Sequence, residues 1–342
     1  MTTDPFKDLS EQGFTIRPAT LDDLEESVAM FNAHARALKG EDETNVEDYR
    51  PQWESPGFDL ETGTRLVLSP EGEIVGCVEM WAIINPLVHP WLWWRVHPDW
   101  TGRSIGQALM TWAVQRARST VDRSPEGARV SARAGCLATD QNSKEVLLDL
   151  GMQLIRHGWR MLIHLDEPPP EPVWPEGISL RVYRHPQMVE EVYRAHKEFF
   201  RDHWGYVERD YDEGLEFFMH FMVESPSFDP SLWFLATHED EIVGIALCYP
   251  DDHGNTDIGW VADLGVKRTW RRRGLGLALL QHAFGAFYRL GKPQASLDVD
   301  AGSLTGVTRL YERAGMHVQR QYDTYELELS PGEELQTEQL SG

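Results

Sequence analysis

The chain repeats itself. Ile178-Ser179-Leu180-Arg181 answers Thr15-Ile16-Arg17, Glu241-Ile242-Val243-Gly244 answers Glu73-Ile74-Val75-Gly76, and Gly315-Met316 answers Gly151-Met152. Between the copies lies Asp166-Glu167-Pro168-Pro169-Pro170-Glu171-Pro172, whose prolines favour an extended connector and exclude helix interior or central strand. Each copy is long enough to hold its own core, so two related domains are expected rather than one. The expected layout is a loose N-terminus at 1–12, a domain at 13–165, a linker at 166–176, a second domain at 177–330 and a loose tail at 331–342. In both copies short β-rich runs alternate with helical, apolar-periodic stretches, which makes the class α/β.

The second copy carries the stretch with the most chemistry. Leu264-Gly265-Val266 closes a buried strand, Lys267 to Arg273 forms a cationic turn, and an apolar helix starts near Gly274. A helix start has backbone N–H groups without partners and a partial positive charge, so phosphate oxygens bind there. Gly274 and Gly276 carry no Cβ to hold such an anion off the backbone. A triphosphatase loop would end in Gly-Lys-Ser/Thr, and a dinucleotide fingerprint would have glycine at 279, where leucine stands. What remains is a pyrophosphate cradle of another type.

Arg-x-x-Gly-x-Gly at 271–276, just after Leu-Gly-Val, resembles the acetyl-CoA-binding motif of the GCN5-related N-acetyltransferases. Downstream, a strand at Ala295 to Asp300 precedes a helix from Thr308 that glycine ends at 315. Its Leu310-Tyr311-Glu312-Arg313-Ala314-Gly315-Met316 resembles that family's second signature, in the family's order and spacing. The resemblance covers both halves and implies an α+β architecture of two tandem domains, each a mixed, splayed central sheet flanked by helices. It also implies acetyl-CoA as acyl donor and no metal. Arg271, Arg272, Arg273, Gly274, Leu275, Gly276 and Leu277 would hold the pyrophosphate, mostly through backbone, with some of the arginines facing water. Leu264 and Val266 would offer backbone groups to the acetyl and pantetheine portions. Tyr311 would donate a proton to the departing thiolate, a role that suits a hydroxyl protonated at neutral pH. Ser303 stands near an asparagine of related sequences that contacts the pantetheine, and a helix cap accounts for it equally well.

The implied reaction is transfer of acetyl to a primary amine of a small molecule. A peptide N-terminus as acceptor, or a non-catalytic acyl-CoA sensor, are the alternatives. A protonated amine needs a base. Asp263, near the thioester end of the strand before the cradle, is the first candidate, and Asp298 and Asp300 on the next strand are weaker ones. Asp257 shares parity with Asp263 unless a bulge intervenes. For the acceptor, Phe200, His203, Trp204 and Tyr206 at a helix end suit a pocket wall, or equally a packed helix terminus. In the first copy Thr101, Ser104 and Leu147 stand where Arg271, Gly274 and Tyr311 stand in the second, so that domain is expected to be catalytically silent.

Charge and cysteine count narrow the partners. A formal charge of −23 disfavours nucleic acid and anionic membrane. Three cysteines without paired spacing argue against a disulfide framework, and the histidines show no metal-ligand spacing. No signal peptide or spanning run is evident, so a cytoplasmic monomer or homodimer is expected.

Overall fold

The computed structural model describes residues 4–302 and 308–338. It divides into two compact units. The first runs to Arg156 and takes back Tyr322–Leu335, whereas the second comprises His157–Gln321 and resumes at Gln336.

The first unit contains α1 (Lys7–Glu11), β1 (Thr15–Arg17), α2 (Leu24–Lys39), α3 (Val46–Trp53), α4 (Leu60–Gly63), β2 (Thr64–Leu68), β3 (Ile74–Trp81), β4 (Trp91–Val96), α5 (Ile105–Ala117), β5 (Val130–Leu137) and α6 (Gln141–Asp149). β1 to β4 form an antiparallel meander, and β4 runs parallel to β5 only at Trp91 and Leu92. β6 (Gln153–His164) then carries the chain into the second unit. That unit holds β7 (Ile178–Val182), α7 (Val189–Phe200), α8 (Tyr211–Phe218), β8 (Trp233–His238), β9 (Glu241–Tyr249), β10 (Ile258–Val266), α9 (Leu275–Arg289), β11 (Gln294–Asp300) and α10 (Thr308–Arg313). β12 (His317–Ser330) closes the chain. β7 to β10 again form a meander, and β10 runs parallel to β11 only over Ile258–Trp260.

The repeated Glu-Ile-Val-Gly has a packing cause. A Cβ built on Gly76 would lie 2.8 Å from Ile105 Cγ2, and one on Gly244 2.8 Å from Leu279 Cδ1. In both units a glycine lets a helix settle directly on the second strand of the hairpin. Around that contact, α5 buries Ile105, Leu109 and Ala113, and α9 buries Leu275, Leu279, Ala283 and Phe287. These are the i, i+4, i+8 faces that the apolar periodicity required.

The expected domain boundaries need correction. The end of the stretch 13–165, expected in the first domain, instead pairs with the second unit, Gly158–His164 lying antiparallel to β11. The partner of β5 comes from the far end of the chain, as Tyr322–Ser330 of β12. Side-chain charge matches this exchange. Arg129 and Arg133 on or beside β5 meet Glu326 of β12, while Arg160 of β6 makes a two-pronged contact with Asp298 of β11 at 2.7 and 3.0 Å. Neither end of the chain is loose as far as it is described. Phe6 and Leu9 are buried in the first core, and in the tail Glu333 exchanges backbone hydrogen bonds with Gly127 and Arg129. Among the described residues no helix is long and apolar enough to cross a membrane.

Candidate active site

The site is built on a defect in β10. Against β9, Val261 pairs with Cys248 and Asp263 with Leu247, so Ala262 is an extra residue in the ladder. The bulge changes which way the strand faces. A Cβ on Gly259 would strike Phe287 of α9 at 2.4 Å, and Val261 packs in the same core. Beyond the bulge, a Cβ on Gly265 would instead meet Phe199 and Phe200 of α7 at 3.0 to 3.2 Å. Unbroken alternation would put Asp263 among the apolar residues over α9; the bulge turns it toward α7 and breaks its parity with Asp257.

The bulge also frees backbone. Lys267 N–H donates to Val243 O at 2.9 Å, so alternation sends the groups of Leu264 and Val266 away from β9. Across the defect, Ala262 is likewise left without a place in the β9 ladder. Parallel pairing with β11 stops at Trp260, so this edge opens into the gap between the splayed strands. The gap contains a cavity of about 210 Å³ lined by Val261–Leu264 of β10, Leu297–Asp300 of β11, Tyr311 of α10, and Phe200, Asp202, His203 and Trp204 at the end of α7.

Within it the acids differ in their commitments. Asp202 accepts from Arg271 Nη1 at 2.7 Å, and Asp298 is held by Arg160. Asp300 caps the Gly302 N–H at 3.0 Å. Asp263 is paired with a histidine, its Oδ2 3.2 Å from His196 Nε2. Tyr311 is 6% exposed; burial, and then the charge of Asp263, push its hydroxyl well above the usual phenol range, so it holds its proton at neutral pH. Burial, then the neighbouring Arg271, lower His203 despite the opposing pull of Asp263 and Asp202, which keeps that imidazole neutral.

The cradle follows directly from the end of β10. Arg272 at φ +63° and Gly274 at φ +90° take the left-handed turns, and the first helical bond of α9 runs from Ala278 N–H to Gly274 O. The N–H groups of Leu275, Gly276 and Leu277 therefore have no partner within the helix. A Cβ on Gly274 would meet no protein atom, so the space there is open to a ligand. Of the three arginines expected to meet an anion, Arg271 turns inward. Its guanidinium bonds Val266 O at 3.1 Å, Phe199 O at 3.0 Å and Asp202, which also removes the Val266 carbonyl from the groups available to a ligand. Arg273 lies over the Trp270 ring at 4.8 Å, and Arg272 is exposed. Tyr206 is absent from the cavity wall and donates to Glu208 at 3.1 Å, unlike Phe200, His203 and Trp204. Ser303 lies outside the described residues. The sequence reading passed over His196, although its place one helical turn before Phe200 sets both rings on one face of α7, 4.5 Å apart.

The first unit repeats the scaffold with other residues at these positions. Ser104 at φ +62° and Gly102 at φ +75° take the same two left-handed positions. Gly106 faces Val146 as Gly276 faces Leu310. Yet β3 and β4 pair without interruption from Gly76 with Val96 to Trp81 with Trp91, so there is no bulge. The register puts Trp93 where Asp263 stands, and buried Leu147 takes the place of Tyr311.

Comparison with known proteins gives concordant matches. The description "Acetyltransferase (GNAT) family" matches residues 28–125 and 189–316. A mycothiol acetyltransferase of Streptomyces scabiei is 30% identical over 268 residues, covering 77% of this chain and 78% of that protein. The crystal structure of a GCN5-related N-acetyltransferase from Sphaerobacter thermophilus is 32% identical, with a TM-score of 0.78 over 94% of this chain and 98% of that one. A tandem GNAT protein from the clavulanic acid biosynthesis pathway, 16% identical, shares the fold with a TM-score of 0.70, covering 94% of this chain and all of that one.

Proposed function

The chain belongs to the acetyltransferase (GNAT) family, and from that premise we propose that its second unit transfers acetyl from acetyl-CoA to the primary amine of a small molecule. The bulge at Ala262 is the observation that carries this reading. It brings a carboxylate, a protonated tyrosine and backbone released from the ladder to one cavity at the mouth of an anion cradle.

The donor supplies a thioester. The N–H groups of Gly274 to Leu277, with exposed Arg272, would hold its pyrophosphate, and the Leu264 backbone would meet its pantetheine arm in the gap. Asp263 takes a proton from the acceptor ammonium, since the carboxylates of Asp202 and Asp298 are engaged by Arg271 and Arg160. The amine attacks the thioester carbonyl, and backbone freed at Ala262 faces the oxyanion as it develops. Tyr311 protonates the leaving thiolate. Phe200, His203 and Trp204 form the wall on the acceptor's side.

The first unit is the silent partner in this reading. Besides the unbroken ladder and Leu147, it has Glu145 and Asp149 at the positions of Arg309 and Arg313, beside a cavity of about 390 Å³ over its own cradle. That rim repels a polyanion. The relatives named mycothiol acetyltransferase favour a small molecule over a protein as acceptor.

Thiol release from acetyl-CoA across a panel of amino sugars, cysteinyl amines, diamines and short peptides tests the proposal. Turnover with a small amine is expected, falling about 10²- to 10⁴-fold in Tyr311→Phe while acetyl-CoA binding by calorimetry persists. Turnover with peptides alone would move the acceptor class, and binding without turnover on any amine would favour a sensor.

A further inference from the structure

The His196–Asp263 contact is unexplained by the family motifs, since His196 lies on α7, outside both. Three features make it more than a chance surface pair. The carboxylate lines the cavity and the imidazole stands behind it, outside the lining. The ring is fixed by stacking on Phe200 at 4.5 Å with an interplanar angle of 21°. The side chains are 24% and 20% exposed, so water screens the pair only partly.

We propose that His196 is the positioning residue of this site: its Nε2–H donates to Oδ2 of Asp263 and so holds Oδ1 toward the acceptor amine. The proposal rests on the reading of Asp263 as the base. An ionised carboxylate only accepts, so this donation requires a proton on Nε2. A free aspartate would rotate about χ2 and share both oxygens with solvent, whereas one tethered oxygen leaves the other aimed. The proton balance is simple. Oδ1 takes one proton from the ammonium and later yields it to solvent. The amine forms its bond to the carbonyl carbon, the C–S bond breaks, and the thiolate takes the Tyr311 proton. The phenolate recovers a proton from the nitrogen of the collapsing adduct. His196 keeps its own proton throughout.

Two substitutions separate positioning from packing. His196→Phe preserves the ring on Phe200 but removes the donor, and His196→Gln restores an N–H near Nε2. With acetyl-CoA and the small amine turned over fastest in the panel, His196→Phe should lower kcat about 10-fold or more, with the KM for acetyl-CoA unchanged, and His196→Gln should recover most of the loss. A kcat equal to wild type in His196→Phe, or equal losses in both variants, would overturn the proposal. A second measurement needs no turnover and so stands apart from the proposed function. Solution ¹H NMR should show a downfield His196 Nε2–H resonance protected from solvent exchange in the wild type, and its loss in Asp263→Ala. An Nε2–H equally protected in both proteins, or protected in neither, would refute the pairing even if acetyl transfer were established.

Discussion

Deleting Ala262 isolates what the bulge contributes. Val261 already pairs with Cys248 and Asp263 with Leu247, neighbours on β9, so removing the residue between them closes the ladder without shifting either flank. Asp263 also keeps its side of the sheet, because Val261 and Asp263 become adjacent and alternate. The first unit shows that this hairpin tolerates an unbroken ladder from Gly76 to Trp81. The stability change should therefore be small and favourable, about 0.5–1.5 kcal/mol for the backbone hydrogen bond the healed ladder can add. Catalysis should suffer. Loss of a backbone donor to the oxyanion costs about 2.7–4 kcal/mol of transition-state stabilisation, or roughly 10²- to 10³-fold in kcat. Acetyl-CoA affinity should hold, since the cradle at 272–277 is untouched. Thiol-release kinetics, calorimetric Kd and Tm on the deletion protein measure all three quantities. An unchanged kcat in a folded deletion protein would refute the idea that the bulge serves transfer.

Other consequences are more local. Gly259→Ala drives a methyl to 2.4 Å from the Phe287 ring and should destabilise the second unit by about 1–3 kcal/mol in denaturant titration. Glu326 is half-buried, which alone would raise its pKa, but hydrogen bonds from Arg129, Ser131 and Arg133 outweigh this and hold it at about 2, against 4.5 for an ordinary glutamate. Its folded pKa is depressed, so its contribution is complete above about pH 4.5 and fades as pH falls toward 2. By linkage this is worth up to roughly 3 kcal/mol, and stability over that window should flatten in Glu326→Gln. Arg272→Ala should weaken acetyl-CoA binding about two- to fivefold by calorimetry, whereas Arg271→Lys should spare that affinity and raise the acceptor KM by loosening Asp202 and Phe199. Leu147→Tyr should give the first unit no transferase activity in a Tyr311→Phe background, because the unbroken ladder and Trp93 remain; recovered turnover would contradict this.

Much of the fold was open to reading because its causes are local. The hairpin at Ser69–Gly72, the apolar helices after Ser104 and Gly274, and the glycine-ended α10 follow from turn residues and 3.6-residue periodicity. The strand exchange was not, since β6 and β12 satisfy the same alternation wherever they pair. Their places are set by charges distant in sequence, Arg160 with Asp298 and Arg129 with Glu326, whose separations of 138 and 197 residues no local pattern reports.

The site divides along the same line. Tyr311 and Gly274 sit in motifs where neighbouring residues announce them, whereas His196 acquires meaning only when α7 is laid beside β10. The bulge lies deepest, because nothing in Val261-Ala262-Asp263 demands an extra residue; only the register shift between Val261 and Asp263 against β9 reveals it. The two copies show which constraint acts where. Gly76 and Gly244 are both kept, since a Cβ at either would collide with the helix above, and Gly106 and Gly276 face equivalent side chains. The copies part at the bulge, at Asp263 against Trp93 and at Tyr311 against Leu147, none of which the packing requires. A fold can thus be read twice from this chain, and the proposed chemistry once, because packing binds both copies while proton transfer and oxyanion stabilisation would bind only the copy proposed to perform them.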